Sequence, residues 1–172
     1  MPAAAGGTMV SARTRPGHQL DEEPDMKTIL LATDGSDSAS EALEFAIELC
    51  KETGAALEVL AVRPHPAAGR GGIGPAVLEI ESLDGARQIA ESAAAQARGV
   101  GVSASVHVDH GDPADTIAVV AEALKVDLIV VGSRGLGAIS GTLLGSVSRK
   151  LAGHTEIPLT IIRERAHVTA TV

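Results

Sequence analysis

The sequence predicts an α/β domain, a single doubly wound sheet of parallel strands with helices on both faces. Three observations predict it. Five short aliphatic or β-branched runs are spaced along the chain. The stretches between them place apolar residues at helical spacing. The two kinds of segment alternate as β-α-β-α-β-α-β-α-β, the order that builds a parallel sheet with right-handed crossovers. At 172 residues, 45% of them hydrophobic, the chain suits one domain with a sizeable core.

The first strand is read at Thr28-Ile29-Leu30-Leu31-Ala32-Thr33, an apolar run without alternation, as expected of a strand buried on both faces. Asp34-Gly35-Ser36 breaks it, and Ser38 with Glu41 has the form of a capping box. Ala39, Ala42, Leu43, Ala46, Ile47 and Cys50 then mark a helix that Gly54 is placed to end. Leu57 to Val62 is the second strand. Residues 63–81, with Pro64, Pro66, Gly69, Gly71, Gly72, Gly74 and Pro75, read as a long flexible loop and the expected seat of partner specificity. A second helix carries Leu83, Ala86, Ala90, Ala93 and Ala97 on one face and stops at Gly99 and Gly101. Val102 to Asp109 alternates apolar and polar residues, which predicts a strand with one wetter face near a sheet edge. Gly111-Asp112-Pro113 turns the chain into the third helix, with Asp112 as N-cap and Pro113 at the first helical position. Leu128 to Val131 is an aliphatic strand ending at Gly132, a short helix is expected over about Ser146 to Ala152, and Pro158 to Ile162 is the last strand.

Composition narrows the function classes. A net charge of −8 and a sequence pI near 5.2 disfavour a phosphate backbone as partner, so no nucleic acid is expected. With no Trp, no Tyr and only Phe45, any base pocket must be walled by aliphatic side chains and backbone. No apolar run is long enough to span a bilayer, so no membrane partner is expected. The lone Cys50 fits a reducing, cytoplasmic setting and reads as a small buried hydrophobe rather than a nucleophile. Residues 1–25 read as a disordered tail without a signal-peptide core, residues 26–164 as the domain and 165–172 as a second tail.

The chemistry concentrates in Gly132-Ser133-Arg134-Gly135, followed after nine residues by Gly145-Ser146-Val147-Ser148. A glycine at the end of a buried strand and a second cluster opening a helix present backbone N–H groups to an anion, and the serine hydroxyls add donors. Glycine here is expected to permit close approach and positive φ. Each glycine alone would be turn punctuation; together they point to phosphate. The spacing is neither a GxxxxGK[ST] loop nor a dinucleotide fingerprint after the first strand.

This pattern, G-x2-G-x9-G-[ST], resembles that of the ATP-binding branch of the universal stress protein family. Gly132, Gly135, Gly145 and Ser146 match without a gap, and Thr33-Asp34-Gly35-Ser36 and Gly111-Asp112-Pro113 match further. The resemblance covers roughly residues 27–163. It implies a Rossmann-like adenine nucleotide-binding sheet in the order 3-2-1-4-5, with ATP and Mg²⁺ as ligands. It further implies that Ala32, Thr33 and Asp34 line the nucleoside pocket and that the Val62 backbone reads the adenine edge. Val131, Gly132, Arg134 and Gly135 would lie along ribose and phosphates, and Gly145, Ser146, Val147 and Ser148 would hold the phosphates.

Two of these residues have a competing reading. Asp34 is placed to bind a ribose hydroxyl or a hydrated Mg²⁺, or else to serve as a turn or cap residue. Arg134 is a phosphate partner or a solvated loop charge. No general base stands beside the glycine loop, which predicts a bound ligand turned over slowly or not at all. His107 and His110 are expected on opposite faces of their strand and not in one metal site, and His154 is expected to cap the last helix. An adenylating enzyme using Ser36-Asp37-Ser38, and an interaction module without nucleotide, are the alternatives. The last strand, with Leu159, Ile161 and Ile162 beside the polar Thr160, is expected at an edge that pairs a homodimer.

Overall fold

The β-forming run at the start of the domain becomes β1 (Thr28–Ala32), whose three central residues are fully buried. Its entry is pinned by Asp127, whose carboxylate accepts the Lys27 and Thr28 N–H groups at 2.8 and 2.9 Å. The other elements are α1 (Asp37–Thr53), β2 (Ala56–Arg63), α2 (Pro75–Gly99), β3 (Ala104–His110), α3 (Pro113–Leu124), β4 (Leu128–Gly132), α4 (Ser146–Ala152) and β5 (Leu159–Ile162). The computed structural model describes residues 26–64, 75–136 and 143–164, and within α2 the side chains from Leu83 onward. The tails expected at 1–25 and 165–172 lie outside the described residues.

The five strands form one sheet in the order β3-β2-β1-β4-β5, every neighbour parallel. The expected order is therefore observed. β3 and β5 are the edges, and β3 has the partly exposed face that its alternation predicts. Alternate residues of each strand feed two cores. Ile29, Leu31, Leu57, Val59 and Val130 pack under α1 and α2, while Leu30, Leu60, Ile129 and Val131 pack under α3 and α4. The buried face of α2 is lined by Ala86, Ala90, Ala93, Ala94 and Ala97, and side chains this small let the helix lie close to the sheet.

Local signals act where expected at most boundaries. Gly54 closes α1 at φ 76°, a conformation that L side chains seldom adopt. Asp112 caps α3, accepting the Ala114 and Asp115 N–H groups at 3.1 and 3.2 Å, with Pro113 following. His154 closes α4, its Nδ1 lying 2.7 Å from the Lys150 carbonyl. Cys50 is 2% exposed, and burial pushes its thiol up to about 11, as befits a core residue.

Two expectations are corrected. The loop read at 63–81 is shorter: β2 runs through Arg63, and α2 already begins at Pro75, where proline suits the first helical turn. Residues 65–74 lie outside the described residues. The N-cap of α1 is Ser36, whose Oγ accepts the Ala39 N–H at 3.4 Å, and not Ser38. Ser38 is instead buried in the first turn and bonded across to the segment after β4.

Candidate functional site

In this strand order the chain leaves β1 toward β2 on one side and returns to β4 on the other. The crevice opens beyond the carboxyl ends of β1 and β4, where ligands of such sheets bind. A cleft of about 370 Å³ lies there, within the range of small-molecule sites. All twelve residues that the sequence singles out line it: Ala32, Thr33, Asp34, Val62, Val131, Gly132, Arg134, Gly135, Gly145, Ser146, Val147 and Ser148. The remaining wall includes Leu60, Ile89, Pro113 and Ile117, none of which sequence reasoning assigned to the site. Ile117 lay on a predicted core stripe and Pro113 in a turn motif. Ile89 is a bulky residue on a helix whose buried face is otherwise alanine, and its side chain lies 3.4 Å from where a Cβ on Gly35 would sit. The wall these residues form is thus aliphatic, as the shortage of aromatic residues requires.

The glycine loop is built differently from the sequence expectation. None of Gly132, Gly135 and Gly145 has positive φ; among the described glycines that conformation occurs at Gly35, Gly54, Gly101 and Gly111. The motif glycines serve close approach to the chain's own atoms instead. A Cβ on Gly132 would lie 2.5 Å from Ser38 Oγ and 2.8 Å from the Ser38 carbonyl carbon. A Cβ on Gly135 would lie 2.5 Å from Asp34 Oδ2. A Cβ on Gly145 would sit 3.4 Å from both Arg134 Cα and the Ser133 carbonyl. Each glycine therefore admits a neighbour that ties the loop down.

Asp34 is one such tie. Its Oδ1 accepts the Ser36 N–H at 3.1 Å and its Oδ2 accepts the Leu136 N–H at 2.9 Å, joining the end of β1 to the loop after β4. The turn-and-cap reading thus describes Asp34 here, and each oxygen retains a further lone pair for a ligand. Thr33 does similar local work, its Oγ1 accepting the Gly35 N–H at 3.2 Å. Ser148, expected to donate to phosphate, is 2% exposed and donates to the Ser133 carbonyl at 3.0 Å, so its proton is committed within the protein. Ser146 is exposed at the mouth. The N-cap of α4 is Gly145, with no side-chain cap, and the Arg149 N–H reaches back to the Gly145 carbonyl at 3.2 Å. The earlier N–H groups of the helix, from Ser146 to Ser148, have no intrahelical acceptor and border the cleft.

Arg134 lines the cleft and also carries an ion pair that its sequence reading did not include. Its guanidinium pairs with Glu164 at 2.9 Å, beyond the end of β5. Glu164 lines a second cleft on the other side of the loop, with Ser36, Asp37 and Ser38, and not the first. Among the described residues no group of three or more His, Cys, Asp or Glu side chains is placed to hold a metal ion. His107 lies 2.6 Å from Glu58 and His110 beside Asp109, both on the β3 side of the sheet.

The family model described as "Universal stress protein family" matches residues 26–163, nearly all of the described structure. The chain belongs to the universal stress protein family. A curated relative, universal stress protein YxiE of Bacillus subtilis, is 35% identical over 144 residues, covering 78% of this chain and 97% of its own. The solved structure of universal stress protein UspA from Lactobacillus plantarum superposes with a TM-score of 0.73 at 22% identity, covering 82% of this chain and 100% of its own. Two structures closer in sequence are complexes with nucleotides. A universal stress protein in complex with cAMP has 27% identity and a TM-score of 0.60, with 82% and 99% of the two chains covered. The universal stress protein from Archaeoglobus fulgidus in complex with dAMP has 26% identity and a TM-score of 0.51, with 80% and 97% covered.

Proposed function

We propose that this universal stress protein binds an adenine nucleotide in the cleft at the ends of β1, β2 and β4, with Mg-ATP as the cellular ligand. The observation that carries the reading is the convergence of all twelve residues that the resemblance implies on one cleft of nucleotide size. The donor set suits such a ligand. An aliphatic wall accepts a base without hydrogen-bond demands, and the uncapped start of α4 offers backbone N–H groups to phosphate. Universal stress proteins solved in complex with cAMP and dAMP support the ligand class. Asp34 would hold a hydrated Mg²⁺ on the phosphates through water. Among the described residues that line the cleft the one carboxylate is Asp34, whose oxygens both accept backbone N–H groups; we take the nucleotide as a regulatory ligand in the stress response with little or no turnover.

The same reading makes the protein a cytoplasmic homodimer. The thiol of Cys50 is kept buried and unpaired, which suits a reducing compartment. Every residue of the edge strand β5 is only partly buried, the condition of a strand that seeks a pairing partner. Light scattering at micromolar concentration is expected to report a dimer, and a monomer overturns that part.

The nucleotide is tested on purified protein. Denaturation should release an adenine nucleotide into the supernatant, or the stripped protein should bind added Mg-ATP in a calorimetric titration. Gly145→Leu, which fills the start of α4, should abolish binding while circular dichroism stays native. A supernatant free of nucleotide together with no binding of Mg-ATP, or full affinity in Gly145→Leu, sinks the reading.

A further inference from the structure

The buried Ser38 has no part in capping α1 and does not line the nucleotide cleft, yet it is 3% exposed and fully engaged. Its Oγ donates to the Arg134 carbonyl and accepts the Arg134 N–H at 3.3 Å. One hydroxyl thus holds both backbone polar groups of a single residue in the middle of Gly132-Ser133-Arg134-Gly135. From the opposite side, Ser148 on α4 donates to the Ser133 carbonyl at 3.0 Å, and the Gly145 N–H reaches the same oxygen at 2.7 Å. The backbone of Ser133 and Arg134 is therefore clamped between the first turn of α1 and the first turn of α4. Room for the clamp comes from Gly132, where any Cβ would sit 2.5 Å from Ser38 Oγ.

We infer that Ser38 is a positioning residue for the phosphate subsite, and that the first glycine of the motif is glycine in order to admit it. The inference rests on the adenine nucleotide reading of the cleft. A trans peptide opposes its C=O and N–H in one plane. Fixing the Arg134 carbonyl on Ser38 therefore fixes where the next N–H, that of Gly135 on the cleft wall, is aimed. Preorganised backbone donors bind an anion without the cost of ordering them on contact. Ser38 is absent from the cleft lining, whose bulky aliphatic residues include Leu60, Ile89 and Ile117, so its effect is expected at the phosphate end. Ser36 Oγ also donates to the same carbonyl, at a longer 3.4 Å, while accepting the Ala39 N–H, but it leaves the Arg134 N–H unserved.

The discriminating comparison is AMP against adenosine, which differ only in the phosphate, titrated calorimetrically into the full chain stripped of nucleotide. Ser38→Ala is expected to weaken AMP about tenfold, the scale of one lost hydrogen bond, while adenosine affinity stays within twofold. Ser148→Ala, loosening the loop from its other end, should shift the same ratio in the same direction. Should the alanine variant of Ser38 fail to fold, Ser38→Cys keeps its volume with a weaker donor and should give the smaller shift of the same sign. Equal losses for AMP and adenosine, or unchanged affinity for both, would show a merely structural role and overturn the inference. A wild-type protein that binds neither compound overturns the reading of the cleft and this inference with it. A wild type that binds both equally overturns this inference alone.

Discussion

The tie between Asp34 and Gly135 yields a double-mutant cycle whose sign follows from geometry. Adding a methyl group at Gly135 puts a carbon 2.5 Å from Asp34 Oδ2, well inside contact distance. Among the described residues, chain neighbours aside, the only other atom within 4 Å is Asp34 Cγ at 3.6 Å, so the obstacle is a side chain and not the backbone. Gly135→Ala must then displace the carboxylate from the Leu136 N–H it accepts at 2.9 Å. A hydrogen bond to a charged acceptor in a partly exposed loop is worth about 1–2 kcal/mol, and that is the expected destabilisation of Gly135→Ala. Asp34→Ala loses this bond and the one from the Ser36 N–H, costing about 1–3 kcal/mol. Once Asp34 is alanine the added methyl loses the obstacle found among the described residues, so the double variant should be no less stable than Asp34→Ala alone. The coupling is then about 1–2 kcal/mol in favour of the double variant. Urea unfolding followed by far-UV circular dichroism is the assay, since a chain with no Trp or Tyr has little intrinsic fluorescence to follow. Additive losses within about 0.5 kcal/mol would refute the claim that Gly135 is glycine because of Asp34.

Three further outcomes are expected. Arg134→Gln should change AMP affinity less than about threefold, because its guanidinium is spent on a half-exposed pair with Glu164, and a loss beyond tenfold would show that it reaches the phosphate. Lys150 holds Asp112 and Asp115 at 3.0 and 2.8 Å, which ties α4 to the start of α3 and pulls the Asp112 carboxyl below its ordinary value of 3.8. A lowered carboxylate pKa stabilises the fold above the ordinary value and is lost as pH falls below it. The acid limb of a stability profile should accordingly flatten in Lys150→Met, and an unchanged limb would remove the clamp from the account. Cys50, buried and with its thiol pushed up to about 11, should react with a thiol reagent at neutral pH only as fast as the protein unfolds, and rapid labelling of native protein would contradict its core placement.

What was legible in the sequence was whatever depends on neighbours along the chain. Aliphatic runs and helical stripes fixed the number and order of elements, and Gly54, Asp112 and Pro113 marked their ends through backbone rules that act over a few residues. The motif from Gly132 to Ser148 located the cleft, because a strand end and a helix start were both visible at the required spacing. The strand order was reached through the family resemblance of that motif, since periodicity alone leaves the order open.

The tertiary structure decided which partner each of those residues meets. Ser38 and Glu41 had the local form of a capping box, but Ser36 took the cap because Ser38 is turned onto Arg134, 96 residues away in sequence. Asp34 and Leu136 are 102 residues apart and Arg134 and Glu164 are 30 apart, separations at which sequence spacing carries no geometric information. Glycine shows the difference most plainly. The sequence identifies where a Cβ is missing, whereas the atom that occupies the space comes from a distant part of the chain, as Ser38 does at Gly132 and Asp34 at Gly135, and tertiary packing brings it there.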